Sequence, residues 1–191
     1  TYSATELAYS RDLNQFWVDS LNRGTTAQPL PGTKKEVENI SAMLTSSGWD
    51  ASTYIQNAAS EGQVKQVTSP TLLHIATHGY FFEDIPQEKT NNMQFMGMNT
   101  GKAVQNPMLR SGLLLAGANN TLEGNPVKGE NGLFTAYEAS MLDLSNTELV
   151  VLSACETGSG EIKNGEGVYG LQRAFKQAGA KSIIMSMWKV D

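Results

Sequence analysis

Two near-continuous apolar runs constrain the fold of this 191-residue chain more than any other feature. The first covers residues 72–77 (LLHIAT) and the second covers residues 149–154 (LVVLSA). Neither run alternates between apolar and polar residues, so both are predicted to be strands buried on both faces of a sheet. Segments with helical spacing lie between such strands. This order predicts an α/β fold in which helices cover both faces of a mostly parallel sheet.

Further elements are predicted around these two strands. Pro31 opens a helix that Thr33 can cap and that Gly48 ends. An amphipathic helix is predicted within 165–180, with Val168, Leu171, Phe175 and Ala178 facing inward. The remaining predictions are helices at 6–21, at 61–67 and within 131–144, strands at 51–56, 113–116 and 182–188, and a long loop at 83–108.

The composition excludes several classes of protein. With 40% hydrophobic and 17% charged residues the chain is that of a globular protein, and its net charge of -5 argues against binding nucleic acid or anionic membranes. No apolar run approaches the ~20 residues of a membrane helix, and the N-terminus shows no signal peptide. The single cysteine cannot form an internal disulfide, which favours a cytoplasmic location.

The chain is predicted to hold one domain, because it has no internal repeat and no linker. Residues 1–30 are a polar N-terminal segment, and residues 31–191 form the domain. The chain begins on Thr1 and stops at Asp191, directly after a strand-like run, so we expect it to be a piece of a longer protein.

Reactive side chains follow both buried runs. His78 comes directly after 72–77, and Cys155 comes directly after 149–154. Since sites in open α/β sheets lie at the carboxyl ends of strands, the two residues would face each other if their strands are adjacent. An imidazole beside a thiol can generate the nucleophilic thiolate, and the backbone N–H groups of Gly79 and Cys155 would serve as an oxyanion hole. On the residues alone, inert packing is the more common role of a lone cysteine in a strand, and it outweighs catalysis for Cys155.

The other histidine is better explained by structure than by chemistry. His74 lies inside the first apolar run, so we expect a core residue or one that supports His78. No cluster of cysteines and histidines has the spacing of a metal site, and neither a metal nor another cofactor is expected.

A glycine pattern offers a competing interpretation. Residues 165–170 (GEGVYG) match GxGxxG, and Asp191 lies at the expected distance of the acidic residue in dinucleotide-binding units. The first glycine of such a unit should follow its strand almost immediately, whereas residues 156–164 intervene here. We therefore interpret these glycines as aiding loop flexibility and close packing of a helix on the sheet.

Several segments together resemble a CHAT domain. They are HIATHGYF, SGLLLAGAN, NGLFTAYEASMLDLSNTELVVLSACETGSG and GEGVYGLQRAFKQAGAKSIIMSMWKVD, with LPGTKKEVENI upstream. The resemblance covers roughly residues 30–191. It implies a caspase-like, separase-related cysteine peptidase with a three-layer sandwich, in which the strands of His78 and Cys155 are neighbours.

The resemblance also implies roles and partners. His78 and Cys155 would be the catalytic pair, with Gly79 and the Cys155 amide as the oxyanion hole. The substrate would be a protein or peptide, and such domains in bacteria are often fused to TPR repeats and act in signalling or defence. A regulatory protein and a C-terminal small subunit of the same precursor are further expected partners. The alternative is a catalytically silent CHAT scaffold that binds a partner protein.

Substrate preference is the least constrained expectation. In related peptidases the residue two before the nucleophile lines the pocket for P1, the residue on the acyl side of the scissile bond. Ser153 holds that position and is small and neutral. Asp191, with Trp188 as a wall, would supply a negative charge for arginine or lysine. A pocket for a hydrophobic P1 stays open as an alternative.

Overall fold

A computed structural model describes residues 26–81, 94–95, 98–99, 106–125, 129–156 and 166–185. Its helices are α1 (Pro31–Ser46), α2 (Glu61–Lys65), α3 (Pro107–Arg110), α4 (Ala118–Leu122), α5 (Ala136–Ala139) and α6 (Glu166–Gln177), with a 3-10 turn at Gln56–Ala58. Its strands are β1 (Leu72–Phe81), β2 (Gln94–Phe95), β3 (Met98–Asn99), β4 (Ser111–Leu114), β5 (Leu133–Thr135), β6 (Leu149–Glu156) and β7 (Ser182–Met185). None of the helices described in these ranges is long and apolar enough to span a membrane.

Five of these strands form one open sheet, in the order β5-β4-β1-β6-β7. The pairings β1–β6 and β6–β7 are parallel, whereas β4 runs antiparallel to both β1 and β5. The sheet is therefore mixed, with four strands sharing one direction and β4 reversed. The expected α/β class is confirmed, and this sheet flanked by helices is consistent with a caspase-like fold.

One face of the sheet carries the main hydrophobic core. Leu113 of β4, Ile75 of β1 and Leu152 of β6 lie on three neighbouring strands and pack there against α6. Phe175 of α6 is fully buried. The inward residues of α6 recur every three or four positions, which places them on one side of the helix. This packing covers the central strands from one side and leaves the other face for the site.

The opposite face is covered less completely. Helix α1 packs across β1 there, yet none of its sixteen residues is fully buried. A smaller cluster around Tyr80, Leu114 and Leu133 lies under α4. Over the edge strand the face is open, since the Ile184 side chain is 58% exposed.

A group of ionised side chains, which we call the Lys65 cluster, joins α2 to α5. The Lys65 Nζ lies 3.0 Å from the carboxylates of both Glu61 and Glu138 and 3.3 Å from that of Glu130. Glu61, only 3% exposed, also accepts a hydrogen bond from the backbone N–H of Gly132. Burial raises the pKa of the Glu61 carboxyl, and Lys65 offsets only part of that effect. Burial opposes the charge of Lys65 as well, but the carboxylates of Glu138 and Glu61 outweigh it and raise the ammonium pKa.

The structure corrects several predicted boundaries. Residues 51–55 form no strand, and Gln56 begins a 3-10 turn instead of ending a strand. Strand β1 does not end at His78 but continues to Phe81, since β4 pairs with its last four residues. The N-cap of α1 is Leu30 rather than Thr33, because Pro31 has a fixed φ and no N–H to satisfy, which suits the first helical position.

Other predictions are met in part or fall outside the described residues. The helix predicted at 6–21 lies outside them, as does most of the loop predicted at 83–108. Within that loop the structure describes the short β2–β3 ladder, which the polar, aperiodic sequence did not predict. The helices predicted at 61–67, within 131–144 and within 165–180 are confirmed, with α2 and α5 shorter than their predicted windows.

Candidate active site

The fold brings His78 and Cys155 together at the level of the backbone. Strands β1 and β6 are parallel neighbours, and their register pairs the Cα of His78 with the Cα of Cys155. Neighbouring strands lie about 4.8 Å apart, which is within reach of a thiol and an imidazole on one face of a sheet. The expected adjacency of the two strands is confirmed. For Cys155 the structure describes the main chain and not the side chain.

A main-chain carbonyl fixes the tautomer of His78. The His78 Nε2 lies 2.6 Å from the backbone oxygen of Gln28, at hydrogen-bonding geometry. A carbonyl oxygen can only accept, so Nε2 must carry the proton of the neutral ring. The other nitrogen, Nδ1, is buried and has no hydrogen-bond partner among the described residues. It therefore carries a lone pair, as a general base requires.

An asparagine side chain holds the segment that contains this carbonyl. Asn119, in α4, accepts a hydrogen bond from the Ala27 N–H at 2.8 Å and donates one to the Ala27 carbonyl at 3.1 Å. We call this pair of bonds the Asn119 clamp. It satisfies both main-chain groups of the residue before Gln28. The clamp thereby positions the Gln28 carbonyl against the imidazole of His78.

Gly79 lies inside the sheet rather than in a turn after it. It is buried and pairs in register with Leu113 on one side and with Glu156 on the other. Its assignment to an oxyanion hole, like that of the Cys155 N–H, stays a prediction.

A carboxylate from α1 reaches the residue two before Cys155. The Ser153 hydroxyl donates a 2.6 Å hydrogen bond to Oε1 of Glu36. The His74 Nε2 lies 3.1 Å from the same oxygen, off the geometry of a hydrogen bond, so that contact is electrostatic and depends on protonation of the ring. His74 thus touches Glu36 rather than His78. In the described part of the chain no three His, Cys, Asp or Glu side chains come close enough to hold a metal ion.

A large cavity opens beside the imidazole. Its volume is about 1080 Å³, and it lies between α1, β1 and the start of α4. His74, His78 and Asn119 line it together with apolar residues of α1 such as Val37 and Ile40. The catalytic candidate His78 therefore borders a partly open cavity on the side of β1 that faces β4.

The remaining predicted site residues are only partly covered. Trp188 and Asp191 lie outside the described residues. Gly167 and Gly170 lie within α6, which begins at Glu166, rather than in a turn between strand and helix. This position argues against a pyrophosphate cradle, which needs its glycines at the end of the strand.

Three groups of the site were missed by sequence reasoning. The Gln28 carbonyl is a main-chain atom, which no residue pattern can reveal. Asn119 sits in a polar stretch, where its partner Ala27 lies 92 positions away. Glu36 did offer a signal, because it precedes Ile40 by one helical turn and so borders the apolar stripe of α1.

Comparison with known proteins agrees with the geometry. The model of the CHAT domain family matches residues 7–191. No curated protein and no solved structure matches the chain. The CHAT family is related to caspase-like cysteine peptidases. Since the match covers well over half of the length of this chain, the chain belongs to the CHAT domain family.

Proposed function

We propose that this protein is a cysteine endopeptidase in which Cys155 is the nucleophile and His78 is the general base. One observation carries the proposal: His78 pairs in register with Cys155, and the Gln28 carbonyl holds its proton on Nε2. With Nε2 occupied, the basic nitrogen is Nδ1. The substrate class is a protein or peptide, and bacterial signalling or defence in the cytoplasm, beside a TPR region or regulatory protein, is the expected setting.

The proposed reaction proceeds in two stages. Nδ1 of His78 takes the proton of the Cys155 thiol, and the thiolate attacks the carbonyl carbon of the scissile peptide bond. The N–H groups of Gly79 and Cys155 stabilise the oxyanion, and the imidazolium then protonates the leaving amine. Water hydrolyses the thioester with His78 again as base. Throughout, the Gln28 carbonyl stabilises the protonated ring by accepting from Nε2.

Alkylation tests the pairing directly, because Cys155 is the only cysteine of the chain. A thiol with an ordinary pKa of about 8.5 is roughly 0.3% thiolate at pH 6, whereas one paired with an imidazolium is largely ionised. We expect iodoacetamide to modify the folded protein at pH 6 at least tenfold faster than the same protein in denaturant. Intact mass reports a single added group, and His78→Ala should remove the acceleration.

Cleavage is the second measurement. The wild type should cleave members of a peptide library that varies at P1, and Cys155→Ala should abolish cleavage while leaving the circular dichroism spectrum and Tm unchanged. Cleavage that persists in Cys155→Ala would refute the assignment. An unreactive thiol together with no cleavage of any peptide would favour the silent scaffold instead.

A further inference from the structure

Glu36 is an acid held in place by one of its two oxygens. Ser153 donates to Oε1 at 2.6 Å, and the His74 ring approaches the same atom at 3.1 Å. Oε2 has no hydrogen-bond partner in the described part of the chain. Lys34, on the same helix, pairs with Glu38 rather than with Glu36. The carboxylate is thus oriented by the protein and still has accepting capacity on Oε2.

This oxygen lies where a substrate side chain would enter. Ser153 precedes Cys155 by two residues on the same strand, so both positions belong to one face, about 6.6 Å apart along β6. The Glu36 side chain is 35% exposed, and beyond it the face opens towards Ile184. An extended arginine or lysine side chain covers a distance of that order.

We propose that Glu36 is the specificity-determining residue of this peptidase, and that its Oε2 receives the guanidinium or ammonium group of a basic P1 residue. The inference rests on the proposed function, because it uses the position of Cys155 to place the scissile bond. The negative charge that Ser153 lacks is supplied from α1, held there by the Ser153 hydroxyl itself. Asp191 is not needed for this role.

The size of the effect follows from the chemistry of the contact. A hydrogen bond that involves charged partners contributes more than a neutral one, which corresponds to roughly 10- to 100-fold in kcat/KM. The comparison should use side chains that differ in charge alone. Citrulline is the neutral counterpart of arginine with nearly the same shape and length, so this pair isolates the charge. Norleucine lacks the terminal ammonium of lysine and is one atom shorter, so it serves as the apolar comparison.

The first experiment measures kcat/KM for peptides that carry arginine or citrulline at P1. The wild type should prefer arginine by roughly 10- to 100-fold, and Glu36→Gln should bring the ratio to within about threefold of one. Glutamine keeps a carbonyl oxygen for the Ser153 hydroxyl, so the helix stays anchored. Glu38→Gln, on the exposed side of α1, is the matched control and should keep the wild-type ratio.

Two outcomes overturn the inference. If Glu36→Gln lowers both rates equally and leaves the ratio unchanged, Glu36 only tethers α1 to the sheet. If the wild type prefers citrulline or norleucine at P1, the pocket does not select a positively charged side chain. Either result leaves the peptidase assignment standing.

A binding experiment separates the inference from the proposed function. Agmatine has the guanidinium of arginine but no scissile bond, and its titration into Cys155→Ala needs no reactive thiol. We expect binding by calorimetry that is lost when Glu36→Gln is added. If agmatine binding depends on Glu36 but the wild type cleaves no peptide, the cation site is supported and the peptidase assignment is refuted. Cleavage without such binding, and without preference for arginine, would do the reverse.

Discussion

Replacement of Lys65 by methionine would test how much one partly buried ammonium stabilises this fold. Lys65 touches three carboxylates from α2, from α5 and from the segment before β5, and its own side chain is 27% exposed. In the Lys65→Met variant, Glu61 and Glu138 lose their positive partner. Methionine retains most of the packing volume, so the loss is chiefly electrostatic.

The expected magnitude follows from burial. Breaking a buried ion pair by removing one partner costs about 3–5 kcal/mol, because the remaining charge is left uncompensated. Glu61 is almost fully buried, but Glu130 and Lys65 itself are partly in water, which screens their interaction. We therefore expect a loss near the lower limit, about 3 kcal/mol in the free energy of unfolding at pH 7.5. A second change, Glu61→Gln, should restore part of it, since the amide oxygen still accepts from Gly132.

The pH dependence has a definite sign. The pKa of Glu61 is raised by burial, so between its unfolded and folded pKa values the native state binds more protons than the unfolded state. Stability therefore falls as pH rises through that window. Without Lys65 the pKa of Glu61 rises further and the window widens. Lys65→Met should accordingly lose more stability than the wild type between pH 5 and pH 7.5.

Urea unfolding followed by tryptophan fluorescence at pH 5 and pH 7.5 measures both effects. Lys34→Met, which removes an exposed lysine from a 3.7 Å pair on α1, is the control and should stay within about 0.5 kcal/mol. The reasoning is refuted if Lys65→Met is as stable as that control at pH 7.5. It is also refuted if the Lys65→Met deficit is larger at pH 5 than at pH 7.5.

Two further substitutions test the core and the clamp. Phe175→Ala removes a fully buried ring and should cost about 3–5 kcal/mol by urea unfolding, whereas Tyr169→Ala, on the exposed side of the same helix, should change stability by no more than about 0.5 kcal/mol. Asn119→Ala breaks both bonds that position the Gln28 carbonyl, so kcat for peptide cleavage should fall roughly tenfold with little change in KM. Asn120 is exposed and, among the described residues, is bonded only through its main chain, so Asn120→Ala should match the wild-type kcat; equal losses in the two asparagine variants would contradict the clamp.

The strands and helices that could be predicted are those for which a short stretch of sequence already shows which residues are buried. The runs at 72–77 and 149–154 became β1 and β6, because short uninterrupted apolar runs are typical of strands in the interior of a sheet. The reversed direction of β4 could not be predicted, since a buried residue such as Leu113 packs equally well in either orientation. Pairing with β4 also carries β1 past His78, where the sequence had suggested an end.

The candidate site likewise contains residues that the sequence could predict and contacts that it could not. The chemical types of His78 and Cys155 and the strands that carry them were evident from the sequence, whereas their register is a finding of the structure. The carboxylate of Glu36 and the carbonyl of Gln28 reach the site only through the packing of α1 and of the segment before it. Such contacts join residues far apart in the chain, as with the 117 positions between Glu36 and Ser153, and leave no local pattern.

Because a main-chain oxygen orients His78, saturation mutagenesis would give a misleading picture of position 28. Every amino acid offers the same carbonyl, and Pro29 biases residue 28 towards an extended backbone whatever its side chain. Within the described part of the chain, the one hydrogen bond of the Gln28 side chain is a 3.4 Å donation from its Nε2 to the Thr26 hydroxyl. Variants at this position would therefore score as neutral, although the atom they share is in contact with the imidazole. Its contribution becomes visible only when the oxygen itself is altered, for example by a thioamide introduced through chemical ligation.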